Sequence, residues 1–137
     1  MPTRWYEYSD NPQSILHLFS EKPELQDVRI FSVNFSLVNN KAGVFIEPQE
    51  FPTNVPPRWA GKGFNAVHIE VDLFGVTSVE LNGSVTDQKF NVRIEPLDHR
   101  FSAQARETRL SFSYFAFRIS AIHGYKYGEQ EKRGPNL

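Results

Sequence analysis

Asn65-Ala66-Val67-His68-Ile69-Glu70-Val71-Asp72-Leu73 is the stretch whose reading decides the fold. Val67, Ile69, Val71 and Leu73 alternate with His68, Glu70 and Asp72. In an extended chain successive side chains point to opposite faces, so this period of two describes a strand with one apolar and one polar side. Such a strand belongs to a sheet that rests one face on a core and turns the other outward. Gly75 breaks the pattern, and Val76 to Leu81 supplies the next strand.

The same alternation recurs on both sides. Phe31, Val33, Phe35 and Leu37 are expected on one face of a half-buried strand, with Ser32, Asn34 and Ser36 on the other. Asn39-Asn40-Lys41-Ala42-Gly43 reads as a turn, and Val44 to Glu47 as the returning strand. Asn82-Gly83 is a hairpin signal, with the following strand beginning near Gln88. Phe90, Val92 and Ile94 alternate with charged or polar neighbours until Pro96; Phe101, Ala103 and Ala105 form a weaker strand. Arg109 to Ile119 is expected to be the last and longest, apolar on both sides and therefore central or covered.

Two segments stand apart. Ser9, Asp10 and Asn11 are good caps and Pro12 suits a first helical position. Ile15, Leu16, Leu18 and Phe19 then give a one-sided face until Pro23. A helix of about nine residues must dock to be stable. Residues 48–63 hold Pro48, Pro52, Pro56 and Pro57, which preclude regular structure, with Trp59 in their midst. The expected architecture is mainly β (α+β). About seven mostly antiparallel strands form a curved sheet, sandwich or open barrel, with one short N-terminal helix. Residues 1–127 read as a single domain and 128–137 as a polar tail that frays.

The 137 residues suit one domain, and 39% hydrophobic content suits a real core. Twelve Phe against one Met point to strands packed by large rigid rings. With no Cys there is no disulfide, thiol nucleophile or Cys-bound metal. No apolar run reaches membrane length, and the first residues show no leader pattern, so a cytoplasmic protein is expected. Net charge is −1, with 6 basic and 8 acidic residues in 1–70 and 9 and 8 in 71–137. Neither half has the basic excess that a sequence-independent nucleic-acid binder needs.

No catalytic constellation is legible. The glycines form no phosphate loop, and no nucleophile elbow occurs. His17, His68, His99 and His123 share no local metal spacing. Asp98-His99 reads as a turn dipeptide and His123 as a surface imidazole. Glu70 and Asp72 share one strand face about 7 Å apart, with His68 in the same stripe. That is a solvated sheet face or a protein-binding face before it is a metal or acid–base site. Lys89 and Arg93 are available to pair with the two carboxylates. The Arg residues of the C-terminal half are interleaved with Glu95, Asp98 and Glu107, which suggests pairing within the sheet. Trp59 is a binding hot spot or a plug at the sheet's end.

The order of these features resembles the immunity protein 50 family of bacterial polymorphic toxin systems. The matching pieces are Trp5-Tyr6-Glu7, Ile15 to Phe19, Pro56-Pro57-Arg58-Trp59, the run from Gly63-Phe64-Asn65 to Val76, and the aromatic strand Leu110 to Ile119 ending near Gly124-Tyr125. Pro-Pro-x-Trp through Gly-Phe-Asn is the most specific part. The resemblance implies a cytoplasmic, non-enzymatic protein without cofactor, which binds a cognate toxin encoded by an adjacent gene and blocks its active surface. It transfers no contact residue. The exposed carboxylates Glu70, Asp72, Glu47 and Glu50, with His68 and Trp59, are the expected partner-binding residues. A ligand-binding domain or enzyme with an aromatic-lined pocket is the alternative.

Overall fold

The computed structural model describes residues 5–19, 23–59 and 61–126. Eight antiparallel strands form one sheet: β1 (Val28–Ser36), β2 (Lys41–Glu47), β3 (Ala66–Phe74), β4 (Thr77–Gly83), β5 (Lys89–Glu95), β6 (Arg100–Gln104), β7 (Thr108–Ser113) and β8 (Ala116–Tyr125). Their spatial order is β4-β7-β6-β5-β1-β2-β3-β8. The mainly β reading therefore holds, with one strand more than expected.

The extra strand comes from the long aromatic run, which is two strands and not one. The chain bends at Tyr114 and Phe115 between β7 and β8, so Phe115 is 74% exposed while Phe112 and Phe117 are buried. A matching bend at Gly75-Val76 carries β3 into β4. Because β3 pairs with β8 and β4 with β7, two long bent strands run side by side through a common corner. The Phe115 amide donates to the Phe74 carbonyl at 2.7 Å, and the Gly75 amide to Asn40 at 3.0 Å. Gly75 has φ +68, and a Cβ there would lie 2.8 Å from that of Phe115. Only glycine lets the two bends approach this closely.

The corner divides the sheet into halves, β1-β2-β3-β8 and β5-β6-β7-β4. Elsewhere, among the described residues, strands of the two halves pair only at Val28–Phe90 and Arg29–Lys89, where β1 meets β5. The inward faces enclose one core. Val67, Ile69, Val71 and Leu73 are almost wholly buried, as their alternation requires, and Phe101 stacks on Phe112 with ring centres 4.7 Å apart.

Three local expectations are corrected. Asn82-Gly83 makes no hairpin: both residues lie in β4, opposite Arg109 and Thr108 of β7, and residues 84–88 lead irregularly to β5, which does not pair with β4. In β1 a bulge between Ile30 and Ser32 shifts the register against β2. Phe31, the extra residue, turns to the outward side, while Val33 and Phe35 pair with the buried Val44 and Ala42, and Leu37 falls in the turn. The helix α1 (Gln13–Leu18) is shorter than expected, and its N-cap is Pro12 without a side-chain cap. Asn11 is used elsewhere. Its amide donates to the Ile119 carbonyl at 2.7 Å, and its side-chain oxygen accepts from the Ile119 amide at 2.8 Å, so it covers the outer edge of β8. The expected tail 128–137 lies outside the described residues.

Candidate functional site: the outward face of β2 and β3

Even-numbered residues of β3 face away from the core. Register then places Phe45 opposite Glu70 and Gly43 opposite Asp72 on β2, and His123 opposite His68 and Arg118 opposite Asp72 on β8. Four of the six expected residues, Glu47, His68, Glu70 and Asp72, meet on this face. The carboxylates are less exposed than expected, their side chains 15% (Glu47), 14% (Asp72) and 26% (Glu70) exposed, and each has a neighbour. Glu70 lies 3.6 Å from His123 Nε2, and Asp72 lies 3.5 Å from Lys41 Nζ. Glu47 accepts a 2.7 Å hydrogen bond from the Tyr125 hydroxyl and faces Arg29 at 3.8 Å. The pairing within the sheet is thus present, but with other partners than expected. Arg93 binds Glu95 at 2.7 Å instead.

His68 sits in an aromatic slot. Its ring centre is 3.8 Å from that of Phe31 and 4.4 Å from that of Tyr125. Burial, with smaller contributions from His123 and Arg29, lowers its pKa to about 4. Its Nε2 is shielded from solvent and has no hydrogen-bond partner among the described residues. A general base works best with a pKa near the working pH, so a neutral, half-buried imidazole of this kind is a weak one. It serves as a flat packing element between two rings. Among the described residues no group of three or more His, Asp or Glu could hold a metal ion.

The other two expected residues lie apart. Trp59, in a short 3-10 turn over Pro57–Trp59, is 6% exposed and packs against Phe51 and Phe64. Gly124 of β8 lies beneath it: a Cβ there would be 2.7 Å from Phe64 and 2.9 Å from Trp59. The plug reading of Trp59 is the one its burial supports, and this explains why Pro-Pro-x-Trp and Gly-Phe-Asn go together. Glu50 is half-buried in the Pro-rich segment, with one carboxylate oxygen shielded and without a partner among the described residues.

Sequence reasoning missed Phe31, Tyr125, Arg29 and the pairing role of His123. The bulge that turns Phe31 outward and the β3–β8 register that sets His123 beside His68 are long-range facts. No local pattern carries them. Asp98-His99 does fall in a turn; His99 has φ +52 and its Nδ1 lies 3.1 Å from the Phe115 carbonyl. The side chain of His17 is outside the described residues.

Fold and face together define a β-sheet domain with an outward surface of paired carboxylates and rings. The sequence matches the family described as immunity protein 50 over residues 11–125, and the chain belongs to that family. It is thus a member of a family of immunity proteins, which suggests a non-enzymatic role and a toxin as partner in general. No curated protein and no solved structure matches it significantly. No described helix is long and apolar enough to cross a membrane.

Proposed function

We propose that this protein neutralises a cognate toxin, encoded beside its own gene in a bacterial polymorphic toxin system, by binding the toxin domain in the cytoplasm and covering its active surface. Family membership motivates the reading. The observation that carries it to a particular surface is the outward face of β2 and β3, where Glu47 is hydrogen-bonded by Tyr125 and Glu70 and Asp72 lie 3.6 and 3.5 Å from His123 and Lys41. Carboxylates fixed before contact lose little side-chain entropy on binding. Against a toxin with a basic groove they stand in for substrate phosphates and speed encounter electrostatically.

Co-expression tests this. The adjacent gene's C-terminal toxin domain is expressed from a tight promoter with and without this chain. Rescue of growth and a co-purifying complex are expected. A toxic domain that this chain neither rescues nor binds would overturn the proposal. Reversing Glu70 and Asp72 to Lys separates the face from the function: slower, less salt-dependent association implicates the face, and unchanged kinetics exclude it.

A further inference from the structure

An antiparallel sheet that does not close leaves rows of unpaired backbone amides and carbonyls, and proteins usually cover or distort them. Two of this protein's free edges are treated in that way. The outer edge of β8 is covered by the N-terminal segment, through Asp10 donating to the Phe117 carbonyl and through the paired bonds of Asn11 with Ile119. The outer edge of β4 is broken by a register shift between Thr77 and Glu80 and by Ser78 at φ +57, with the charge of Glu80 exposed on it.

The third edge carries the bulge at Phe31 where it begins and is otherwise left uncovered by the described residues. β1 pairs with β5 only at Val28 and Arg29. Beyond that point β5 diverges, while β1 continues in unbroken register with β2 from Ser32 to Ser36. On its side away from β2, no strand among the described residues pairs with residues 31–36. This open edge borders a cleft of about 680 Å³ between β1 and the β4–β7 half. Val33, Phe35, Leu81, Phe90 and Leu110 make its apolar walls, and Ser32 and Thr108 are among its small hydroxyl groups. The only charged residues that line it are Arg29 and Asp87, bound to each other by two hydrogen bonds of 3.1 and 2.9 Å. A long apolar groove with an unpaired backbone along one wall and its charges cancelled fits an uncharged extended chain. The backbone hydrogen bonds would supply affinity, and alternate side chains would enter the groove.

We propose that residues 31–36 of β1 are a receiving edge, to which an extended, uncharged segment of the toxin domain adds as a further strand. This rests on the immunity reading and deepens it. β1 adjoins β2, and Arg29 both lines the cleft and faces Glu47, so the receiving edge is continuous with the carboxylate face. Six residues of strand span about 20 Å. The incoming segment alternates apolar residues, turned toward Phe35 and Leu110, with small polar ones turned outward.

The test is amide hydrogen exchange on the full chain, alone and with the purified toxin domain from the adjacent gene. Strand addition predicts that alternate amides between Phe31 and Ser36, those not already bonded to β2, exchange at least about 100-fold more slowly in the complex. A variant gives a second test without any change in β1. Leu81 lines the cleft from β4 and is 55% exposed. Leu81→Arg should leave melting nearly unchanged and weaken the complex about 100-fold or more. A complex that forms with the edge amides unprotected, or that Leu81→Arg does not weaken, overturns the strand addition and leaves neutralisation standing. A small apolar molecule found in the cleft by mass spectrometry, with those amides still exchanging freely, overturns it as well. No complex at all overturns the immunity reading and this inference with it.

Discussion

Asn11 and Ile119, 108 residues apart, exchange two hydrogen bonds, and through them the beginning of the described chain is sewn to the edge of its last strand. The amide side chain behaves like one more residue of strand, giving a donor and an acceptor to the backbone of β8. Without it an amide and a carbonyl of a half-buried edge would lack protein partners, which costs about 1–3 kcal/mol. Asn11→Ala should lose stability of that order in urea unfolding. Asn11→Asp, which keeps the acceptor but sets a carboxylate oxygen against the Ile119 carbonyl, should lose at least as much. Equal stability of all three proteins would show that water replaces both bonds.

Gly75 is the second point where a single atom matters. Its positive φ and the 2.8 Å approach that a Cβ would make to Phe115 both penalise any side chain. Gly75→Ala should cost about 1–3 kcal/mol, read as a lower denaturant midpoint with an unchanged slope. Gly61 has a similar φ of +78 but open space around it, so Gly61→Ala isolates the conformational part of that cost.

These two residues also mark how much was legible in the sequence. Alternation in Val67 to Leu73 gave a strand because period two is a property of that chain segment alone. The faces of Glu70 and Asp72 followed from it. The break at Gly75 was visible; the break at Tyr114-Phe115 showed only as a change of phase, apolar at 110, 112 and 114 and then at 115, 117 and 119, which read as one strand apolar on both sides. The bend there lies against the one at Gly75, whose lack of a side chain leaves it room. Asn11 read as a helix cap because caps are local, yet its hydrogen bonds went to β8, which lies next to it only in the folded chain. The bulge at Phe31 is of the same kind, and it is why the slot around His68 could not be foreseen.

That slot predicts a pH dependence. His68 titrates at about 4 when folded, against 6.5 as the ordinary value. Between these pH values the unfolded chain binds a proton that the folded chain refuses. Stability from this residue is therefore complete above pH 6.5, is lost as pH falls toward about 4, and changes no further below that. The size is on the order of 1–2 kcal/mol, allowing for solvent screening of a half-buried ring. The charged groups that act on it are His123 and Arg29, and the Tyr125 ring lies against it. His68→Phe keeps the ring between Phe31 and Tyr125 and removes the proton. The variant's stability should fall less than the parent's between pH 6.5 and 4, and parallel curves would refute the assignment.

Trp59 separates folding from binding. It lies over Gly124 between Phe51 and Phe64 and is buried. Trp59→Ala should cost about 3–5 kcal/mol in thermal or urea unfolding. Toxin neutralisation by this variant should fall in step with its folded fraction. A stable Trp59→Ala protein that has lost neutralisation would instead place the indole in the contact.

The double corner has a consequence for how the molecule comes into being. β3 gains its outer neighbour only when β8 is made, and β4 has no partner until β7 arrives. A ribosome releasing this chain emits two long ribbons that must wait, one after the other, for complements encoded near the far end. Maturation is therefore set by the arrival of the last strand. Chains whose contacts are so distant in sequence fold in milliseconds to seconds rather than microseconds. A nascent chain therefore has an incomplete outward face until β8 brings His123 and Tyr125 beside Glu70 and Glu47.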